Sequence, residues 1–256
     1  MTDVQSREPA TRTQTTPSTP SYDVRGLTDP AKYDRLVELD ATHAWWQVDG
    51  PTCWLHQLNG VRVPYFRHIL SGFAGKRILD VGCGGGIFSE ALAREGASVL
   101  GFDASRRSLG AAIEHARRAG LAIDYREGLA ETFEPEEQFD AVMAVDILEH
   151  VEDVDLALAM CSRALKQGGI LGFLTHNQTL EAFEHLVWQG EYRLGVIPKG
   201  THDFHKFLTP EDLGERMRRR GLRLIETRGI EAHLDNPGVR LVSSTGVSYL
   251  GYAVKL

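Results

Sequence analysis

Apolar and polar positions change rhythm twice along this chain. Residues 1 to about 21 carry few apolar side chains, as in Thr15-Thr16-Pro17-Ser18-Thr19-Pro20. Such a segment cannot bury enough surface to offset its ordering entropy, which predicts a disordered tail over 1–28. Apolar residues then return at helical spacing, with Tyr33, Leu36 and Val37 behind the capping acid and proline of Asp29-Pro30. A further helix is expected over 55–71 after the break at Pro51, so 29–72 reads as an N-terminal helical cap.

From residue 73 short apolar runs alternate with single amphipathic stretches. Strands are expected at 77–81, 98–103, 122–126, 139–145 and 170–175, with helices at 88–94, 109–118 and 154–165. Single helices between successive strands require parallel pairing with right-handed crossovers. The fold class is therefore α/β, a Rossmann-like doubly wound sheet with helices on both faces. Residues 176–208 interrupt the pattern with aromatics and no clear strand, and are expected to form a substrate-recognition insertion in the 73–256 core. A helix at 210–220 and strands at 222–227 and 247–255 complete it.

Composition narrows the partners. The net charge of −7 over 256 residues argues against a broad grip on nucleic acid. The basic run Arg216, Arg218, Arg219 and Arg220 reads as a solvated face near a helix C-terminus. Cys53, Cys83 and Cys161 are far apart and odd in number, which fits reduced thiols in the cytoplasm. No apolar run approaches the roughly 20 residues needed to span a bilayer, and 1–22 lacks the apolar stretch of a secretory signal. The aromatic stretch Phe183 to Tyr192 either lines a substrate pocket or makes a peripheral membrane contact.

The candidate chemistry starts at Asp80-Val81-Gly82-Cys83-Gly84-Gly85-Gly86, glycines that follow a strand and open a helix. Glycine permits the sharp turn and lets a ligand lie against the main chain. A nicotinamide dinucleotide is the competing occupant, but the third glycine of its fingerprint would fall at Ile87. Asp80 is placed to receive a cationic amino group, and Asp103, at the end of the second strand, to accept ribose hydroxyls. Cys83 has no base beside it and reads as a packing residue.

Ile78 to Ile87 resembles the first motif of class I S-adenosylmethionine (SAM) methyltransferases. Trp45-Trp46, Leu55-His56-Gln57-Leu58-Asn59, Arg62, Asp146-Ile147-Leu148-Glu149-His150-Val151, Pro198-Lys199-Gly200-Thr201-His202-Asp203 and Lys206-Phe207 resemble the ubiquinone-biosynthesis O-methyltransferases, where Glu is usual at the Asp146 position. The resemblance implies a seven-stranded sheet with an antiparallel last strand. It also implies cofactor contacts at Arg62 (methionine carboxylate), Gly82, Asp103 and Val145; the predicted contacts extend to Asp80, Gly84, Ala104, Gly128 and Leu129.

Asp146 and Glu149 fall on one side of a helical turn, and His150 follows at once. Two readings stay open. Asp146, Glu149 and His150, completed by His202 or His205, hold Mg2+ or Zn2+ and so align and acidify an acceptor hydroxyl. Alternatively His150 is a general base without metal. The catalytic residues expected are His150, Asp146 and Glu149. His115, His176 and His185 are expected to be an exposed helix residue and two loop residues. The expected activity is SAM-dependent O-methylation of a small catechol or phenol, a quinone precursor or natural-product intermediate. An N- or C-methyltransferase and, from another class, a NAD-dependent oxidoreductase are the alternatives.

Overall fold

The computed structural model describes residues 23–38, 41–47, 52–233 and 236–256. Residues 1–22 of the tail predicted over 1–28, and the break at Pro51, lie outside them. The five parallel strands are β1 (Arg77–Val81), β2 (Ser98–Asp103), β3 (Asp124–Glu127), β4 (Phe139–Val145) and β5 (Leu165–His176). They are followed by β6 (Leu222–His233), β7 (Asn236–Val242) and β8 (Ser248–Lys255). The sheet order is β3-β2-β1-β4-β5-β8-β6-β7, with β8 antiparallel to both β5 and β6.

β1 and β4 sit at the centre, buried along nearly their whole length. This is why their sequences read as unbroken apolar runs rather than alternating ones. The helices are α1 (Asp29–Val37), α2 (Ala41–Trp46), α3 (Cys53–Leu70), α4 (Ile87–Arg94), α5 (Arg106–Arg118), α6 (Val154–Ala164), α7 (Leu180–Ala182) and α8 (Pro210–Arg219). Local signals set their starts. Ser105, Asp153 and Thr209 accept from the backbone N–H of Ser108, Leu156 and Asp212, capping α5, α6 and α8.

The sheet has eight strands, not the expected seven. The additional β7 is the outer edge strand, antiparallel to β6. Val239 and Leu241 on it pack against the cluster that α3 contributes through Leu58, Val63, Phe66 and Leu70. An edge position tolerates Pro237, the residue that hides this strand in the sequence.

Two further boundaries move. Residues 23–28, counted with the tail, pack against the insertion: Val24 is buried and its N–H donates to the Lys199 carbonyl at 2.9 Å. The insertion itself is largely helical, α7 running into a π-helical stretch over Phe183–Arg193, with a 3-10 turn at Phe204–Lys206. Its inner side is a separate small core of Ala182, Leu186 and Phe207.

Candidate active site

A cavity of about 300 Å³ opens at the carboxyl ends of β1, β2 and β4, between the helical cap and the insertion. Strand order reverses between β1 and β4, the place where doubly wound sheets leave a crevice for ligands. All thirteen residues predicted for cofactor, catalysis or metal line this cavity: Arg62, Asp80, Gly82, Gly84, Asp103, Ala104, Gly128, Leu129, Val145, Asp146, Glu149, His150 and His202.

The glycine loop lies between β1 and α4. Gly82 and Gly84 have φ of 67° and 53°, conformations that other residues rarely adopt. A methyl group on Gly84 would come within 2.6 Å of the Trp45 ring, so the cap closes directly on this loop. Trp46 Nε1 donates to the Gly85 carbonyl at 3.0 Å and its ring stacks on His115 at 3.4 Å, while His115 Nδ1 lies 2.7 Å from Glu90 Oε1. His115 is therefore an anchor for the cap rather than a free surface residue.

Asp103 accepts from the Gly84 and Ser105 N–H groups at 2.8 and 2.7 Å, which aims its carboxylate across the glycine loop. Burial raises its pKa despite these bonds. Asp80, beneath the loop, is pushed up to about 6 by burial, although Ser89 Oγ donates to it at 2.5 Å. Arg62 comes from α3. Its guanidinium is buried over the Phe88 ring, with Nε on Asn59 Oδ1 at 2.6 Å and Nη1 on Asp146 Oδ2 at 3.1 Å.

Asp146 ends the run from β4 with φ of 54°, a left-handed conformation for a residue with a side chain. The turn that follows brings Glu149 back beneath it. Glu149 Oε2 accepts from Thr175 at 2.8 Å, and Glu149 Oε1 faces His176 Nε2 at 3.5 Å. Ligand atoms of Asp146, Glu149 and His176 lie within 4.8 Å of one another. Asp146 Oδ1 and Glu149 Oε1 are buried without a hydrogen-bond partner. Burial raises both carboxyl pKa values and lowers that of His176 well below its ordinary value.

This trio differs from the predicted ligand set. His202 Nδ1 is held 3.0 Å from Glu191 Oε1, and its ring lies 5.0 Å from that of His176. His150 faces the cap, its Nε2 3.2 Å from Tyr33 Oη and its Nδ1 3.5 Å from Asp29 Oδ1. His205 sits in the 3-10 turn, on an exposed stretch. His176, expected in a loop, is the buried last residue of β5. No local signal in the sequence marks it: the strand runs one residue beyond Thr175, and that last residue lines the cavity. Asp29, expected as the capping acid of this helix, lies inside α1 with Thr28 at the cap position, and its side chain turns to His150; Tyr33, expected only as a helix residue, meets the same ring.

The residues fit SAM. Gly82 and Gly84 bring no side chain to the cavity they line, and the Asp103 carboxylate is bonded across the turn to the Gly84 N–H. A buried cation (Arg62) and a buried carboxylate (Asp80) line the same cavity, a donor set that suits an adenosyl group with an amino-acid moiety. The methyltransferase domain family matches residues 79–173. The chain is similar to the magnesium protoporphyrin IX methyltransferase of Synechocystis PCC 6803 with bound SAH, with a TM-score of 0.63 at 19% identity over 86% of this chain and 94% of that one. Fold and site together define a SAM-dependent methyltransferase. Two relatives carry the assignment further. The ubiquinone biosynthesis O-methyltransferase of Methylocella silvestris is 37% identical over 89% of this chain and 93% of its own length. That of Methylococcus capsulatus is 41% identical over 81% and 88%. The chain belongs to the ubiquinone biosynthesis O-methyltransferase family, and the oxidoreductase alternative falls away.

Proposed function

We propose that this enzyme methylates one hydroxyl of a catechol-type ring on a quinone precursor, with a divalent cation, Mg2+ or Zn2+, held by Asp146, Glu149 and His176. The observation that carries the proposal is the convergence of three ligand atoms within 4.8 Å, two of them on buried carboxylates that have an unpartnered oxygen. Unpaired buried oxygens are costly unless a cation or donor meets them. Neutral imidazole with two carboxylates suits a hard or borderline divalent ion, which when bound would orient adjacent hydroxyls and lower the pKa of one.

SAM supplies an electrophilic methyl on a sulfonium. In this reading Arg62 pairs with its methionine carboxylate, Asp80 with its amino group, and Asp103 with the ribose. Gly82 and Gly84 present main chain, and Ala104, Gly128, Leu129 and Val145 complete the wall. His150 takes the acceptor proton on Nε2 as the oxygen lone pair forms the new O–C bond and the S–C bond breaks.

The insertion exposes Leu180, Phe183, Trp188, Tyr192 and Leu194. These supply an apolar face for a hydrophobic tail on the acceptor or for a peripheral contact with a membrane surface. No helix among the described residues is long and apolar enough to cross a membrane. The buried free thiols of Cys83 and Cys161 support a cytoplasmic setting.

Transfer of labelled methyl to matched catechols, monophenols and anilines tests the substrate class. The expected result is O-methylation of catechols with little transfer to the others; preferential methylation of anilines or carbon centres would overturn the assignment.

A further inference from the structure

Ser89 lies in the first turn of α4 and is fully buried. A serine inside a helix commonly bonds back to the carbonyl four residues earlier. Here the hydroxyl reaches out of its own helix and donates to Asp80 Oδ2 on β1 at 2.5 Å. A buried hydroxyl needs some partner. This partner is a buried carboxylate that lines the cofactor cavity.

Opposing influences act on Asp80. Burial pushes its pKa up to about 6, and the Asp103 carboxylate on β2 adds to the rise. Ser89, through its hydroxyl and its main-chain N–H, and the Arg62 guanidinium on α3 act in the other direction. The Cys83 thiol in the glycine loop and the Tyr125 hydroxyl on β3 also face it, and burial raises the pKa of both. A hydrogen bond to an ionised group is worth roughly one to two pH units of a carboxyl group's pKa. Without the Ser89 hydroxyl, the Asp80 midpoint therefore moves to neutrality or above. A cationic amino group would then meet an uncharged acid over most of the neutral range.

We propose that Ser89 is a positioning residue for cofactor binding: its hydroxyl holds one oxygen of Asp80, so that the carboxylate stays anionic and the other oxygen is left for the ammonium group of SAM. The inference rests on the reading of Asp80 as the partner of that ammonium. No proton moves through Ser89, whose hydroxyl hydrogen stays on its own oxygen.

Calorimetric SAM titrations of the full chain from about pH 5 to about pH 7.5 test this, a window below the titration of an α-amino group. Affinity in the unmodified enzyme is expected to level off near about pH 6. In Ser89→Ala the rise should continue for roughly one further pH unit or more, with affinity at about pH 6.5 some five- to tenfold weaker. Ser89→Cys keeps the volume but donates weakly, and its profile should fall between the two. 5′-Methylthioadenosine carries the adenosyl group without the amino-acid moiety, so Ser89→Ala should not change its affinity at any pH. In an Asp80→Asn background Ser89→Ala should leave the pH profile flat, since a residue acting through another has no separate effect.

An unshifted profile in Ser89→Ala, beside an unmodified enzyme whose pH dependence Asp80→Asn abolishes, overturns the inference and leaves Asp80 in its role. Equal weakening of SAM and methylthioadenosine also overturns it, because Ser89 would then only shape the glycine loop. A flat profile in the unmodified enzyme removes the reading of Asp80 together with its positioner. If Ser89→Ala gives no cooperative thermal melt, Ser89→Cys is read in its place, and an upward shift of its profile is still required.

Discussion

Arg62 Nη1 donates to Asp146 Oδ2 at 3.1 Å, and both side chains are almost closed off from solvent. The residue proposed for the cofactor's carboxylate thus also holds Asp146, the first residue of the turn after β4. Burial lowers the Arg62 pKa, while Asp146 and Asp80 pull it back up, so the cation depends on its acidic neighbours.

Arg62→Lys is therefore expected to behave as a severe change. Lysine cannot serve Asn59, the Leu55 carbonyl and Asp146 with one planar fork, as Arg62 does. Removing one partner of a buried pair costs about 3–5 kcal/mol. Urea melts of Arg62→Ala should show a loss of this order, and SAM titrations of Arg62→Lys an affinity at least about tenfold weaker.

SAM affinity should depend on pH through Asp80. Burial holds its carboxyl near about 6 in the ligand-free protein. A cationic amino group stabilises the carboxylate, so binding releases a proton below that pH. Affinity is expected to rise with pH up to about 6 and then level off, and Asp80→Asn should flatten the curve. Calorimetric titrations across this window in two buffers of different ionisation heat would show the released proton. A pH-independent affinity with no proton release would contradict it.

The acid pair gives stability the opposite trend from ordinary carboxylates. Burial raises the folded-state pKa of Asp146 and Glu149 above 3.8 and 4.5, their ordinary values. The folded protein therefore keeps protons that the unfolded chain has already released. Stability falls as pH rises from the ordinary carboxylate range through the raised pKa values, and levels off above them. Thermal melts of the metal-free enzyme should show a lower midpoint at about pH 8 than at about pH 5.5. Asp146→Asn should shrink that difference, and it suits the left-handed backbone there better than Asp146→Ala.

The fold was legible wherever a local rule and the tertiary structure agreed. The strands at 98–103 and 139–145 run as expected because central parallel strands need continuous apolar residues. The glycine loop and Asp103 were legible because a backbone turn and a strand end leave marks in sequence. His176 was not, since nothing local shows that β5 continues one residue past Thr175. The partnership of Asp29 with His150 joins residues 121 positions apart in sequence, and only the docking of the cap brings them together. β7 was hidden by Pro237, in a segment whose pairing depends on what the edge of the sheet tolerates.

Gly84→Ala separates the cap from the cofactor loop. The added methyl meets Trp45 at 2.6 Å, on a backbone with φ of 53°. The variant should stay folded, lose SAM affinity and expose Trp45, seen as a change in tryptophan fluorescence. Unaltered SAM binding would show that the cap does not close on this loop.

The most direct test of the central claim is turnover of a catechol against Mg2+ or Zn2+ concentration after chelation, for the unmodified enzyme and for His176→Ala, Glu149→Ala and His202→Ala. The account predicts that chelation abolishes transfer and that metal restores it. His176→Ala and Glu149→Ala should lose activity with weakened metal binding, and His202→Ala should keep the metal. Full catechol turnover in chelator, or metal binding that survives His176→Ala but not His202→Ala, would contradict the assignment of Asp146, Glu149 and His176 as the ligands.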